Sequence, residues 1–299
     1  MSLRSFGTAK ILCSLLLCLG ISSLRAQYRA GAASDIDGLK FWLGLKTGIT
    51  FSQTKIMQRY SVLSETSEEK DKDSEKEYAK PIQNIGETIG ITFGYALQKN
   101  ILLTFQPSYS NYKYTYSTHY TWQNVEGDAY TLTTKQTHRL GYIELPVTLM
   151  LRILVAGKVE PYVHAGFYYG AFVGGSKKIR YTENLTEGGT SNESPKQTEV
   201  ASMGNFLMKS QMGLTGGVGL AYTIQYFRIG LEVAYRQGMY NITNVKSRYD
   251  NAHLESKFFD IPDDLKLNQL EITLNFYMPV DNIVHLHSSQ KSKGGGRKR

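Results

Sequence analysis

Apolar and polar residues alternate with a period of two in eight separate stretches of this chain. A β-strand points successive side chains to opposite faces, so the alternation predicts all-β structure in which each strand has one apolar and one polar face. In the last stretch, for example, Leu270 and Ile272 alternate with Glu271 and Thr273. The predicted strands are residues 39–52, 88–98, 101–117, 139–153, 160–173, 210–224, 226–240 and 268–279.

Short and long connections alternate between these predicted strands. The short connections lie at residues 98–100, 155–159 and 225–226. The long, polar connections are residues 53–87, 118–138, 174–209 and 241–266. Short periplasmic turns and long outer loops are typical of barrels in the outer membrane. We therefore predict an eight-stranded antiparallel up-and-down transmembrane β-barrel over residues 39–280, with both termini in the periplasm.

The alternation alone leaves open which way the apolar face points, because a soluble lipocalin-like barrel would bury that face inside. The polar face favours lipid on the outside, since it is rich in Gly, Ala, Ser and Thr, most clearly in residues 210–224. A narrow eight-stranded lumen needs such small residues. Tyr and Phe lie near the ends of the stretches, as an aromatic girdle requires. We expect the protein in the cell outer membrane of a Gram-negative bacterium.

Residues 1–26 have the pattern of a signal peptide, with an uncleaved anchor as the alternative. Basic residues Arg4 and Lys10 come before an apolar stretch, and Ala26 precedes the expected cleavage site. The two cysteines of the chain both lie within this signal. A mature chain without cysteine excludes a disulfide framework, a thiolate metal site and a cysteine nucleophile. Residues 27–38 are then a periplasmic N-terminal segment.

The chain has 34 Lys and Arg against 26 Asp and Glu, which gives a formal net charge of +8. Much of the excess lies in a predicted basic periplasmic tail at residues 281–299, which is either disordered or holds an acidic partner. No basic stripe follows a predicted strand, so we expect no nucleic-acid partner. The mean hydropathy of −0.31 and the lack of a second long apolar run argue against a helical membrane protein.

Seven charged residues occur on the predicted lumen face, and their signs nearly balance. A buried charge must be paired, because desolvating it alone costs several kcal/mol. We therefore predict a salt-bridge network that plugs the lumen, with a polar conduit or gated ligand site as the alternative. The predicted network contains Lys46, Glu144, Arg152, Arg228, Glu232, Arg236 and Glu271.

Four short motifs, in this order, resemble the PorT-type outer-membrane β-barrel family of Bacteroidota. They are residues 44–52, 142–146, 161–166 and 213–219. The resemblance spans about residues 39–280 and implies an eight-stranded outer-membrane barrel. The founding member of the family is implicated in type IX protein secretion, so the resemblance extends that role to this chain only by analogy.

Candidate chemistry outside the lumen is sparse. His119 and His138 lie at opposite ends of a predicted outer loop and would have to meet near Ser117 and Asp128 to form a rim enzyme site. The His-x-His pair at 285–287 offers only two metal ligands in a tail. No glycine-rich phosphate loop precedes a helix. We expect no enzyme activity, no cofactor and no metal site.

The charged residues 65–77 form part of the first long connection. We interpret them as a solvated loop, with a surface for a partner or for cations that bridge lipopolysaccharide as the alternative. The expected function is a non-catalytic envelope component with structural or interaction roles, linked to type IX secretion. The alternative is a narrow channel or small-ligand transporter. Expected partners are outer-membrane lipid, lipopolysaccharide and other envelope or secretion proteins.

Overall fold

The computed structural model describes residues 40–61, 76–125, 127–153, 159–188, 190–224 and 227–280. The predicted signal peptide, the segment 27–38 and the basic tail 281–299 lie outside the described residues, as does most of the charged stretch 65–77. Within the described part of the chain, no helix is both long and apolar enough to cross a bilayer.

Strands dominate the described residues, and a single short α-helix, α1 (Ala252–Phe258), lies near the end of the chain. Two 3-10 turns occupy Pro81–Gln83 and Val245–Ser247. The strands are β1 (Phe41–Gln58), β2 (Glu77–Tyr78), β3 (Ile85–Gln98), β4 (Ile101–Phe105), β5 (Ser108–Gln123), β6 (Ala129–Arg152), β7 (Val159–Glu187), β8 (Thr190–Glu193), β9 (Gln197–Ser202), β10 (Ser210–Ile224), β11 (Phe227–Gly238) and β12 (Asp264–Pro279).

Eight strand positions pair into a closed antiparallel ring in the order β1, β3, β4 with β5, β6, β7, β10, β11 and β12. The strands β4 and β5 form one wall element, interrupted at Gln106 and Pro107 because proline has no N–H to donate to a ladder. The pairing of β1 with β12 closes the ring and begins at Trp42 opposite Pro279. Closure satisfies the backbone polar groups without water, as a membrane requires. The prediction of an eight-stranded up-and-down antiparallel barrel is confirmed.

Apolar side chains point out of this ring, and small or charged side chains point in. On β12, Leu270 is 40% exposed and Leu274 is 38% exposed, whereas Glu271 and Thr273 between them are each 1% exposed. The exposed apolar positions of β6 run from Ile143 to Leu151, and Ile153, directly after the strand, is exposed as well. This apolar surface is about eleven residues tall, which matches the length of a strand that crosses a bilayer.

Three strands continue far beyond the apolar surface, where the sequence analysis predicts loops. The 24 residues of β6 and the 29 residues of β7 stay paired from Arg152 opposite Tyr162 to Ala129 opposite Thr186. The prediction of loops over 118–138 and 174–209 is therefore wrong for most of their length. The alternation persists there, but with Thr and Lys on the outer face instead of Leu and Ile. We call residues 112–123, 129–140 and 175–187, with β8 and β9, the extended sheet.

The connection from β11 to β12, residues 239–263, folds back over the inner face of the extended sheet, and we call it the cap. Its helix α1 begins after Asn251, whose side chain accepts a hydrogen bond from the N–H of Leu254. Leu254 and Phe258 of α1 are buried in a cluster with Tyr120, Leu132, Ile179 and Tyr181. Phe259 then ends the helix in the left-handed conformation (φ 51°).

Candidate functional site: the lumen and its capped mouth

Lys46 projects from β1 into the centre of the lumen, where its ammonium group has three polar neighbours. The Nζ atom lies 3.0 Å from Oε1 of Glu271 on the adjacent strand β12. It also donates a hydrogen bond of 3.0 Å to Oε1 of Gln106. Glu232 of β11 lies 4.0 Å away and brings a second carboxylate to the same ammonium group.

Arg236 of β11 extends across the lumen and joins two distant walls. Its Nη2 atom lies 2.7 Å from Oε2 of Glu271 on β12, next to its own strand. Its Nη1 atom forms an ion pair with Glu144 on β6, which is three strands away around the ring. Glu144 also accepts hydrogen bonds from Tyr112 Oη (2.5 Å) and Ser110 Oγ (2.9 Å). Charge-assisted bonds of this kind are the strongest that side chains form.

A second group of charges lies toward the short-turn end, around a carboxylate that the sequence analysis does not name. Glu160 accepts from Arg152 at 3.3 Å and from Arg228 at 3.0 Å. The guanidinium carbon of Arg228 lies 4.4 Å from the centre of the Trp42 ring, within the range of a cation–π contact. These side chains line a cavity of about 30 Å³, which has room for about two water molecules.

The structure places all seven residues of the predicted lumen network inside the ring, with side chains that are almost fully buried. Five of them form one connected cluster, whereas Arg152 and Arg228 form the separate cluster with Glu160. With Glu160 included, four cations meet four carboxylates. Glu160, Tyr162 and His164 are every second residue of β7 and therefore share its polar face. This period of two is the sequence signal that identifies Glu160 as a lumen residue.

The mouth at the long-loop end contains a further buried cluster that the sequence analysis missed. Lys177 of β7 forms an ion pair with Asp260 of the cap and donates a 3.0 Å hydrogen bond to Tyr116 Oη. Lys76 lies 2.9 Å from Oδ1 of Asp263, and Tyr78 Oη donates to Oδ2 of the same carboxylate at 2.7 Å. These ion pairs hold the cap onto the strands below it.

His138 lies beneath this cluster with its ring stacked on Tyr114, at 4.2 Å between ring centres and 11° between planes. Neither ring nitrogen has a hydrogen-bond partner among the described residues. Burial, together with the positive charge of Lys177, holds the pKa of His138 well below its ordinary value. Burial alone would raise the pKa of Asp260, but the charges of Lys177 and Lys76 outweigh it and lower the pKa to about 2.

The two histidines considered for a rim enzyme site point to opposite faces of the extended sheet. In the pairing of β5 with β6, His119 is opposite Thr133 on the solvent face, whereas His138 is opposite Tyr114 on the buried face. His119 is hydrogen-bonded to Thr133 Oγ1 at 2.9 Å. The two rings therefore cannot meet, which corrects the arrangement considered from the sequence.

The described residues contain no group of three or more His, Cys, Asp or Glu side chains arranged to hold a metal ion. The His-x-His pair at 285–287 lies outside the described residues. The buried carboxylates of the lumen and the mouth are all engaged with cations of the chain itself. Their arrangement suits a closed, ion-paired interior.

Comparison with known proteins finds a matching family model and several solved structures. The family described as "Outer membrane protein beta-barrel domain" matches residues 26–247. Solved structures with a similar fold include Neisserial surface protein A, with 12% identity, a TM-score of 0.32 and coverage of 80% of this chain and 96% of that chain. A search of curated proteins finds no match.

Two further solved structures resemble the chain to a similar degree. Ail, the attachment invasion locus protein of Yersinia pestis, is 10% identical, with a TM-score of 0.30 and coverage of 80% of this chain and 100% of that chain. The outer membrane protein AlkL, solved in DMPC lipid bilayers, is 10% identical, with a TM-score of 0.34 and coverage of 85% and 96%.

Proposed function

The chain belongs to the outer-membrane β-barrel family, and from this premise we propose that it is a non-catalytic envelope component with a closed lumen. Membership places the protein in the cell outer membrane. The proposal adds that no solute passes through the ring and that the protein acts through its surface. We favour it over the alternative of a narrow channel or small-ligand transporter.

The ion pair between Arg236 and Glu144 is the observation that carries this proposal. These side chains come from β11 and β6 and meet inside the ring, so the lumen is crossed at that level. An eight-stranded barrel is only wide enough for its own side chains to fill. A hydrated ion would have to break the pair and leave each charge desolvated, which costs several kcal/mol.

Planar-bilayer recording tests the closed lumen. We expect the purified full chain to insert without steady single-channel steps. A variant that truncates the crossing, Arg236→Ala with Glu144→Ala and Lys46→Ala, should show small steps if the network is the plug. The matched control is Lys135→Ala with Arg180→Ala, which removes charge from the outer face of the extended sheet. Steady steps from the wild type would overturn the proposal in favour of a channel.

We propose further that the short turns and both ends of the ring face the periplasm, so that the extended sheet projects from the cell. Short turns on the periplasmic side and long connections outside are the usual arrangement of these barrels. Cysteines occur only at positions 13 and 18, within the predicted signal peptide, so an introduced cysteine would be unique in the mature chain.

Cysteine labelling on intact cells tests this orientation with a matched pair of exposed sites. Thr133→Cys, on the extended sheet, should react with a membrane-impermeant maleimide in intact cells. Lys99→Cys, in the short turn between β3 and β4, should react only after the outer membrane is permeabilised. The reverse pattern would show that the orientation is wrong.

The role in type IX secretion is a finer proposal that rests on the resemblance to PorT-type barrels. The family to which the chain belongs is broader than that group, so the role needs a test of its own. Deletion of the gene should reduce the export of secreted cargo if the proposal holds. Normal export would contradict the role in secretion but would not bear on the proposal of a closed lumen.

A further inference from the structure

Two pairs of basic residues face each other across neighbouring strands on the outer surface of the ring. Lys55 of β1 is directly opposite Lys266 of β12, and Lys113 of β5 is directly opposite Arg139 of β6. Like charges in such positions destabilise an antiparallel pair. Among the described residues, none of the four forms an ion pair with a carboxylate. Lys113 Nζ donates a 3.4 Å hydrogen bond to the backbone carbonyl of Gln83, which carries no formal charge. Within the described part of the chain, no carboxylate therefore neutralises either pair.

Both basic pairs lie at the same place relative to the apolar surface. Each is four residues farther along its strands than an outward-facing apolar pair. The first apolar pair is Phe51 opposite Leu270, and the second is Tyr109 opposite Ile143. Two separate parts of the ring, β1 with β12 and β5 with β6, thus repeat one pattern of an apolar pair followed by a cationic pair.

This position corresponds to the height of lipid headgroups. Four residues of a strand tilted by about 40° rise about 10 Å above the last apolar pair. The headgroup region begins at the edge of the hydrocarbon and is about 5–8 Å thick on each side. Long Lys and Arg side chains can reach back by several Å, so that their charged ends lie within this layer.

We propose that Lys55, Lys266, Lys113 and Arg139 form a cationic collar that binds the phosphate groups of outer-leaflet lipids. The assignment to the outer leaflet rests on the orientation given under Proposed function. Arg139 suits phosphate because its planar guanidinium donates two parallel hydrogen bonds, while the lysines act as compact positive charges. Glu87 is on the same outer surface, opposite Asn111, and forms no ion pair with the collar in the described residues.

The direction of the side chains favours lipid over a soluble polyanion. On β5 and β6, every second residue from the apolar surface to Lys113 and Arg139 faces outward. The side chains of Lys113 and Arg139 therefore project sideways, parallel to the membrane plane. Their first neighbours are then the lipids that surround the ring. A soluble polyanion would have to enter the headgroup layer to reach them.

A third pair of the same chemistry provides a matched control. Lys135 of β6 is directly opposite Arg180 of β7, on the same outer face. Lys135 is eight residues from Ile143, which places it about 20 Å above the apolar surface and beyond the headgroup layer. The collar and this pair differ in height and share charge and cross-strand geometry.

Binding of lipid A, a phosphorylated glycolipid, tests the collar. Fluorescent lipid A is titrated into the full chain, folded in dodecylphosphocholine micelles, and the bound fraction is followed by anisotropy. The variant Lys113→Gln with Arg139→Gln should weaken the affinity about 25-fold, because each cation near an anionic lipid surface contributes a factor of about five. Lys55→Gln with Lys266→Gln should do the same, whereas Lys135→Gln with Arg180→Gln should leave the affinity within twofold.

A stability measurement keeps the test independent of folding defects. In micelles without lipid A, both collar variants should unfold at the same temperature as the wild type or higher, since the substitutions remove repulsion between like charges. Lower unfolding temperatures would contradict the premise that the pairs lack compensation. An equal loss of affinity in the Lys135 and Arg180 variant would overturn the assignment to headgroup height.

Heparin separates the lipid from a soluble polyanion as the occupant. If heparin binds the wild type and the collar variants lose that binding while they keep lipid A, the occupant is a soluble polyanion and the proposal is wrong. Channel activity of the wild type would overturn the closed lumen under Proposed function and would leave the collar result unchanged.

Discussion

Lys76 Nζ and Asp263 Oδ1 lie 2.9 Å apart although 187 positions separate the two residues in the chain. The pair joins the segment before β2 to the end of the cap, and both side chains are nearly inaccessible to solvent. Together with the pair between Lys177 and Asp260, it closes the long-loop end of the ring. Ion pairs between three distant parts of the sequence thus hold the cap at the mouth.

Replacement of one partner should loosen the cap without unfolding the ring. Asp263→Asn removes the charge that faces Lys76 and leaves a buried ammonium group poorly compensated, so we expect a loss of about 3 kcal/mol in the free energy of cap opening. Hydrogen exchange should accelerate in residues 252–261 and stay slow in residues 270–276. The exposed Asp250→Asn is the control, and equal acceleration in both variants would contradict the role of the pair.

Acid should open the cap in two steps. The pKa of His138 in the folded chain lies below its ordinary value of 6.5, so the stability contributed by the neutral ring is complete above pH 6.5 and is lost as the pH falls below it. The pKa of Asp260 is lowered from 3.8 to about 2, so its contribution is complete above pH 3.8 and is lost as the pH falls through about 2.

Fluorescence of Trp122 can follow these steps, because its ring centre lies 4.9 Å from that of Phe259 in the cap. In a Trp42→Phe background, we expect a change that begins below pH 6.5 and a second change below pH 4. His138→Phe keeps the stacking surface and should remove only the first change. A first change that persists in this variant would show that another group titrates.

Lipid-facing and lumen-facing positions should respond differently to a charge. Leu231 is 51% exposed on the outer surface, whereas Thr273 is 1% exposed inside the ring. Leu231→Arg should lower the free energy of unfolding in lipid vesicles by about 2–4 kcal/mol, because arginine enters the hydrocarbon near its midplane. Thr273→Arg should act through crowding and charge beside Glu232. If Leu231→Arg had no effect in vesicles, the outer surface would not contact lipid.

Glycines on the inner face make room for the large side chains of the lumen. A Cβ added at Gly219 would lie 2.2 Å from Cζ of Tyr162, which donates a hydrogen bond to Glu232. Gly219→Ala should therefore cost about 1–3 kcal/mol of stability through overpacking. At Gly174 an added Cβ meets no atom within 4 Å, so Gly174→Ala should be close to neutral. Unfolding in lipid vesicles compares the two variants, and an equal loss of stability would contradict the overpacking at Gly219.

Local alternation predicts the wall of this protein well, because the side of a strand on which a residue lies depends only on its parity. Glu271 and Glu144 are inside for this reason, and Leu231 is outside. The same parity argument would have separated His119 from His138, since antiparallel pairing places an odd and an even position of these strands on opposite faces. The polar composition of the segment between them indicates a loop, and the parity argument applies only to strands.

The mouth could not be predicted in the same way. Lys177 meets Asp260 only because β7 continues beyond the apolar surface and the cap folds back over it, and no local pattern encodes that meeting. The continuation of the strands past residue 117 is difficult to predict from the sequence. Beyond the lipid, Thr and Lys replace Leu and Ile on the outer face, so the apolar half of the alternating pattern is lost. A hairpin can be predicted because a short turn separates its two strands in the sequence. Lys177 and Asp260 are too far apart in the chain for such a signal.

A double-mutant cycle on Glu144 and Arg236 tests most directly whether the lumen is crossed by an ion pair. The free energy of unfolding in lipid vesicles is measured for the wild type, Glu144→Gln, Arg236→Met and the double variant. We expect each single variant to lose about 3–5 kcal/mol and the double variant to lose much less than their sum. Losses that add to within about 0.5 kcal/mol would mean that the two side chains do not interact, and the closed lumen would be contradicted.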